Sequence, residues 1–133
     1  MKNEFYMQYL FRLPPGLEKM VGEIILDHRG QDLAIPRARL VAMAASRFRD
    51  VREIDRTVRR AIEKLREDGW LIGMSHSGDG YYLITSPEEY EDFRSAYTKR
   101  AYTVLENAKR MDESAKRIFG HLETGPKQLS LIG

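Results

Sequence analysis

Cysteine is absent from the 133 residues. That excludes a disulfide framework and any thiolate metal site, and it fits a cytoplasmic setting. No apolar run approaches the roughly 18 residues of a membrane-spanning helix, and Met1-Lys2-Asn3-Glu4 lacks the pattern of a secretory signal. Histidine is scarce: His28, His76 and His121 stand singly, with no carboxylate beside them at metal-ligand spacing. Gly73-Met74-Ser75-His76-Ser77 has a superficial nucleophile-elbow look, but Ser77 occupies the place of the second glycine. Gly78-x-Gly80 alone is not a phosphate loop. The expectation is a cytoplasmic protein that is not an enzyme, crosses no membrane, and uses no cofactor or metal.

What the chain has in quantity is charge. It is 42% hydrophobic and 32% charged, which suits one small domain with an appendage. The net charge of +2 is unevenly divided. From residue 37 to residue 66 there are ten basic residues against Asp50, Glu53, Asp55 and Glu63, a net of +6 that leaves −4 to the rest. Nine of those ten are arginine. Arginine is the better bidentate donor to phosphates and guanine edges, so this segment points to nucleic acid more than to a merely solvated face. The solvated alternative would use pairs such as Asp55 with Arg59 and Lys64 with Asp68.

Within the basic segment Ile54, Val58, Ala61, Ile62 and Leu65 recur at helical spacing, while Arg56, Thr57, Arg59, Arg60 and Lys64 point away from that stripe. Asp55 is placed to cap this helix, and Gly69 to end it in a left-handed conformation. Trp70-Leu71-Ile72 and Tyr81-Tyr82-Leu83-Ile84 then flank a glycine-containing turn as two short strands. Upstream, Leu17, Met20, Val21, Ile24 and Ile25 predict a helix from Leu17 to about His28, ending at Gly30. Leu33 to Ile35 reads as a short strand, and Pro36 as the first residue of a second helix carrying Leu40, Val41, Met43 and Ala44. The connection from Ser46 to Glu53 is longer than a compact helix-turn-helix uses, with Phe48 and Val51 expected to anchor it in the core.

The block from Asp55 to Thr85 resembles the winged helix-turn-helix family, in particular small bacteriophage proteins in which Gly-Tyr-Tyr is followed by a long helix. The resemblance covers about residues 33 to 120. It implies a mainly α fold with a small β-wing, a winged helix-turn-helix followed by a long coiled-coil-like helix, and binding to double-stranded DNA. Arg56, Thr57, Arg59 and Arg60 would lie nearest the bases, and Arg47, Arg49, Arg52 and Lys64 nearer the phosphates. His76, Ser77 and Asp79 form the tip of the wing, which has no arginine or lysine and serves equally well as a structural cover for the core.

Ser86-Pro87-Glu88-Glu89 opens a further helix, with serine as N-cap, proline at the first position and glutamate completing a capping box. No glycine or proline interrupts it until Gly120, which allows about 34 residues, or roughly 50 Å. From Tyr97 through Ala101, Val104, Ala108, Met111, Ala115 and Ile118 to Leu122 the apolar and small residues keep a heptad. A homodimer through Tyr97, Val104, Met111 and Ile118 is the expectation, with a hairpin folded back near Asn107 as the alternative. Glu106 with Arg110, Asp112 with Lys116 and Glu113 with Arg117 would pair outward.

At the N-terminus Phe5, Met7, Tyr9, Phe11 and Leu13 alternate as in a strand, but nine residues leave strand and helix open. The segment is too apolar for a free arm and is expected to pack on the domain or on a partner's long helix. At the other end Gln128-Leu129-Ser130-Leu131-Ile132 follows a Gly125-Pro126 break and resembles the short peptide by which bacterial replication proteins bind the sliding clamp. An apolar tail docked on its own protein is the plainer alternative. The expected organisation is thus an N-terminal segment (1–16), a winged domain (17–85), a dimerisation helix (86–122) and a tail (123–133). Three roles fit: a regulator of phage or mobile-element transcription, a replication-associated factor coupled to the clamp, and a winged-helix protein adaptor.

Overall fold

The computed structural model describes residues 3–120. They form a mainly helical fold with one small antiparallel sheet and a long C-terminal helix. Helix α1 (Glu4–Arg12) is followed by α2 (Leu17–Leu26), a single 3-10 turn at Gln31–Leu33, and strand β1 (Ile35–Pro36). Then come α3 (Arg37–Arg47), α4 (Ile54–Glu67), β2 (Ile72–Met74), β3 (Gly80–Leu83) and α5 (Pro87–Phe119). The chain divides after Phe93 into two compact units.

In the first unit α2, α3 and α4 surround the core with matching apolar faces. Met20, Val21 and Ile25 come from α2, Leu40 and Ala44 from α3, and Val58, Ala61, Ile62 and Leu65 from α4. Each isoleucine, leucine or valine fully buried here contributes about 1.5–3 kcal/mol relative to exposure. The three strands order as β1-β3-β2, all antiparallel. β3 is buried along its whole length. Alternation sends Tyr81 and Leu83 to the helical core and Tyr82 to the opposite face. Tyr82 is paired across the strands with Gly73, and a Cβ at Gly73 would fall 2.5 Å from Tyr82 Cζ. Glycine is therefore required there so that the tyrosine ring can lie on the neighbouring backbone.

Several sequence expectations shift. The first-unit helix α2 ends at Leu26, short of His28, because the chain must turn through Gly30 (φ 82°) to reach β1. The strand expected over Leu33–Ile35 begins only at Ile35; Leu33 lies exposed in the 3-10 turn. Pro36 closes that strand and immediately precedes α3 instead of opening it. The hairpin strands are displaced as well, to Ile72–Met74 and Gly80–Leu83, with Trp70 buried just ahead of β2. In the α3–α4 connection Phe48 packs on the core, but Val51 is exposed and anchors nothing. The residue before α4 is Glu53, in a left-handed conformation (φ 50°, ψ 52°), so Asp55 belongs to the first turn and is not the cap.

The N-terminal segment is a helix, and it packs on this unit. Tyr6 and Leu10, four residues apart, are buried, whereas Phe5, Met7 and Phe11, which alternate as in a strand, are exposed. The Tyr6 and Tyr9 rings meet Trp70 edge-on at centroid distances of 4.8 and 5.6 Å, and the Tyr9 hydroxyl donates to Asp68 at the end of α4. Burial first, then the carboxylates of Asp68 and Glu18, push the Tyr9 phenol well above its ordinary pKa. Close approach of α1 depends on Gly22, where a Cβ would lie 2.8 Å from Leu10 Cδ2 and 3.1 Å from Trp70 Cη2.

Helix α5 is 33 residues long and runs unbroken past Asn107, so the folded-back hairpin does not form. It ends at Gly120 (φ 90°). Ser86 Oγ accepts the Glu89 N–H at 3.1 Å, as expected of an N-cap. The Glu89 carboxylate does not close a capping box on Ser86. It accepts instead from the backbone N–H groups of Thr85 (2.8 Å) and Gln31 (2.9 Å), tying the start of α5 to the 3-10 turn. Residues 94–120 of the second unit consist of this one helix and the glycine after it. There Glu106 pairs with Lys109 at i,i+3, not with Arg110. Residues 121–133 lie outside the described residues, and with them the tail motif Gln128 to Ile132 and the last heptad position, Leu122.

Candidate nucleic-acid interface

At about 100° per residue, the buried stripe of α4 leaves Arg56 and Arg60 on the diametrically opposite face, with Arg59 and Lys64 on its flanks. Glu63 and Glu67 occupy the same outward face two turns further on. The exposed side of α4 is therefore cationic in its first half and anionic in its second. Thr57 is half-buried and its hydroxyl donates to the Glu53 carbonyl at 3.2 Å, so it is engaged with the helix start.

The arginines of residues 37–66 fall into three groups by what holds them. Among the described residues, Arg39, Arg47, Arg49, Arg52 and Arg60 have no side-chain hydrogen bond and no ion pair, and all five are exposed. Arg37, Arg56 and Arg59 make loose pairs: Asp55 Oδ1 lies 3.7 Å from Arg37 Nε and 3.8 Å from Arg59 Nε, and Glu53 Oε2 lies 3.6 Å from Arg56 Nη1. The three arginine side chains remain 45–59% exposed, a setting in which such a pair is worth about 0–1 kcal/mol. A phosphate can replace the carboxylate at little cost. Arg66 is different: it bonds Glu63 (2.7 Å) and the Ile72 carbonyl (3.0 Å) and stacks over Phe93, which makes it part of the packing. Lys64 sits 3.7 Å from Asp68.

Of the residues expected at an interface, Arg56, Arg59, Arg60 and Lys64 share the outward side of α4, Arg52 and Arg49 lie in the connection leading into it, and Arg47 ends α3. Arg47 lines a hollow with Lys19, Glu23 and Phe48. The sequence pattern gives Arg37 no individual role. Fold contacts give it one, because its backbone N–H donates to the Asp79 carbonyl at 2.6 Å and its guanidinium shares Asp55 with Arg59. Arg37 therefore joins the start of α3, the hairpin turn and α4. The pairing of β1 with β3 sets the start of α3 beside the hairpin turn, and α3 packs on α4; no local sequence signal reports these contacts.

The hairpin turn is anionic. Asp79 accepts from Ser77 and Ser75, and these two hydroxyls hold its carboxyl below the ordinary range. His76 Nε2 lies 3.4 Å from Asp92 Oδ2. The turn thus presents a fixed carboxylate and no cation, which does not favour a phosphate.

On α5 the heptad residues Tyr97, Val104, Met111 and Ile118 are all exposed, as are Tyr102 and Phe119. Among the described residues no group of three His, Cys, Asp or Glu side chains is placed to hold a metal, and no helix is long and apolar enough to cross a membrane. No family model matches the chain, and neither a curated protein nor a solved structure is significantly similar to it.

Proposed function

We propose that this protein is a winged helix-turn-helix that binds double-stranded DNA through the first half of α4, as a homodimer joined by α5. The order α2, β1, α3, α4, β2, β3, with β1 added to the β3 edge of the hairpin, supports the winged-helix reading. The DNA reading rests on one observation above others: exposed arginines that are unpaired or only loosely paired are concentrated along the α3–α4 connection and on the outward face of α4. A recognition helix contacts base edges with its N-terminal residues, which is where Arg56, Arg59 and Arg60 stand and where Glu63 and Glu67 do not. Arg37, Arg47, Arg49 and Arg52 are assigned to phosphates. The wing is assigned no groove contact.

A heptad on a solitary helix has nothing within that helix to bury it, and a second copy supplies the matching surface. Two DNA-binding units joined this way suit a two-fold repeated site.

Changing Arg56, Arg59 and Arg60 together to alanine tests the assignment, since each base-contacting arginine is worth about 1–3 kcal/mol. The triple variant is expected to melt like wild type and to lose duplex binding in an anisotropy titration. Wild-type affinity in a folded triple variant refutes it. A transcriptional regulator is the first role. Coupling of a DNA site to a sliding clamp is the second, favoured by Gln128-Leu129-Ser130-Leu131-Ile132. Calorimetry of a peptide spanning residues 125–133 against a bacterial clamp separates the two.

A further inference from the structure

A cavity of about 490 Å³ lies in the first unit, away from the arginine-rich surface. That volume falls within the roughly 300–1,000 Å³ of small-molecule sites. Its walls are apolar: Tyr6, Leu71, Leu83, Ile84 and Tyr90. Among the described residues its lining includes a single formal charge, on Arg29. The Arg29 guanidinium donates to Asn3 Oδ1 at 3.1 Å, a neutral partner, and among the described residues no carboxylate lies within ion-pairing distance of it. Its field also reaches the Tyr6 phenol on the cavity wall. The Glu89 carboxylate, which accepts from the backbone N–H groups of Thr85 and Gln31, makes no ion pair with Arg29.

A largely apolar, open-sided hollow with one unpaired guanidinium exposed at its rim is matched by a ligand with a compact apolar body and one anionic group. Arg29 offers a planar fork that accepts a carboxylate in two-pronged fashion. Two further features fix the expected orientation. Thr85 and Ser86 line the same cavity, but the Thr85 N–H and hydroxyl donate to Glu89 and Ser86 Oγ accepts the Glu89 N–H, so Arg29 is the charged determinant. The aromatic rings of Tyr6 and Tyr90 offer faces to a flat ligand.

We propose that this cavity binds small aromatic carboxylates, with the carboxylate on Arg29 and the ring among Tyr6, Leu71, Ile84 and Tyr90. Because the cavity is lined from α1, the segment before β2, β3 and the start of α5, an occupant would brace the N-terminal helix against the strand and helix that follow the hairpin. The assignment stands independently of DNA binding, since none of its residues belongs to α3 or α4.

The probe is 2-naphthoate, with 2-naphthamide as its neutral counterpart, titrated into the full chain by calorimetry and by amide chemical shifts. Binding of 2-naphthoate below about 1 mM is expected, with shifts centred on Leu71, Thr85 and Tyr90 and about tenfold weaker binding of the amide, as loss of a charge-assisted hydrogen bond implies. Arg29→Gln should weaken 2-naphthoate about tenfold and leave 2-naphthamide unchanged. Equal affinity of the two probes for wild type would overturn the proposal, even if the variant were unstable. So would an absence of binding at 1 mM, shifts elsewhere in the chain, or full naphthoate affinity in a folded Arg29→Gln protein.

Discussion

In α4, Val58, Ala61, Ile62 and Leu65 recur at three- and four-residue spacing and are 0–7% exposed; in α5, Tyr97, Val104, Met111 and Ile118 keep a comparable rhythm and are 45–72% exposed. Both helices also carry abundant charge. The periodicity alone does not separate them. What separates them is whether the apolar stripe is buried. α4 is met by α2 and α3, each with a face of its own, whereas residues 94–120 contain only one helix. An exposed stripe at Val104, Met111 and Ile118 is the feature from which a second copy is inferred, and a buried one is what frees the opposite face of α4 to carry arginines.

The largest effect should separate the two helices directly. Ile62→Ala or Leu65→Ala should cost about 2–5 kcal/mol of unfolding free energy, because a buried side chain is replaced by a cavity. Met111→Ala should leave the melting of dilute, monomeric protein unchanged and instead weaken self-association in sedimentation. If Met111→Ala destabilised dilute protein as much as Ile62→Ala, the contrast drawn between the helices would fail.

Next in size is Gly22→Ala, which should cost about 1–3 kcal/mol by forcing Leu10 and Trp70 apart. Trp70 is the sole tryptophan, so the loosening of α1 would be read from its fluorescence.

Alkali should act on the same unit. Burial raises the phenols of Tyr6, Tyr81 and Tyr82, and burial together with Asp68 and Glu18 raises Tyr9. The folded state therefore holds these protons more tightly than the unfolded chain. The stability they contribute is complete below the unfolded phenol value of about 10 and is lost as pH climbs above it. Melting temperature should fall between about pH 10 and 12, and Tyr9→Phe should make that fall shallower.

The smallest effect concerns the entry to α4. Glu53→Gly relieves a left-handed non-glycine residue and should change stability by no more than about 1 kcal/mol, in the stabilising direction. It also removes the carboxylate beside Arg56, so duplex binding should tighten slightly in an anisotropy titration.

The helices with three or more regularly spaced apolar residues were legible in the sequence, as were the break at Gly69 and the serine cap of α5. The strands were legible only to within two residues, since Trp70 is apolar and buried without belonging to β2. α1 was ambiguous because its outer face carries Phe5, Met7 and Phe11, apolar residues that mimic strand alternation. At the arginine surface the outward set on α4 followed from periodicity. The roles of Arg37 and Arg66 did not, because they depend on contacts with Asp79, Asp55, Ile72 and Phe93 that are made only across the fold.

The central claim, that the unpaired and loosely paired arginines around α4 hold phosphates, is most directly tested by the salt dependence of duplex binding. Each phosphate neutralised contributes a slope of about −0.9 in log K against log salt. Several arginines engaging DNA predict a slope of about −4 or steeper, reduced by about one for each of Arg47, Arg49 and Arg52 changed to alanine. A slope near zero, or one unmoved by those substitutions, would contradict the account.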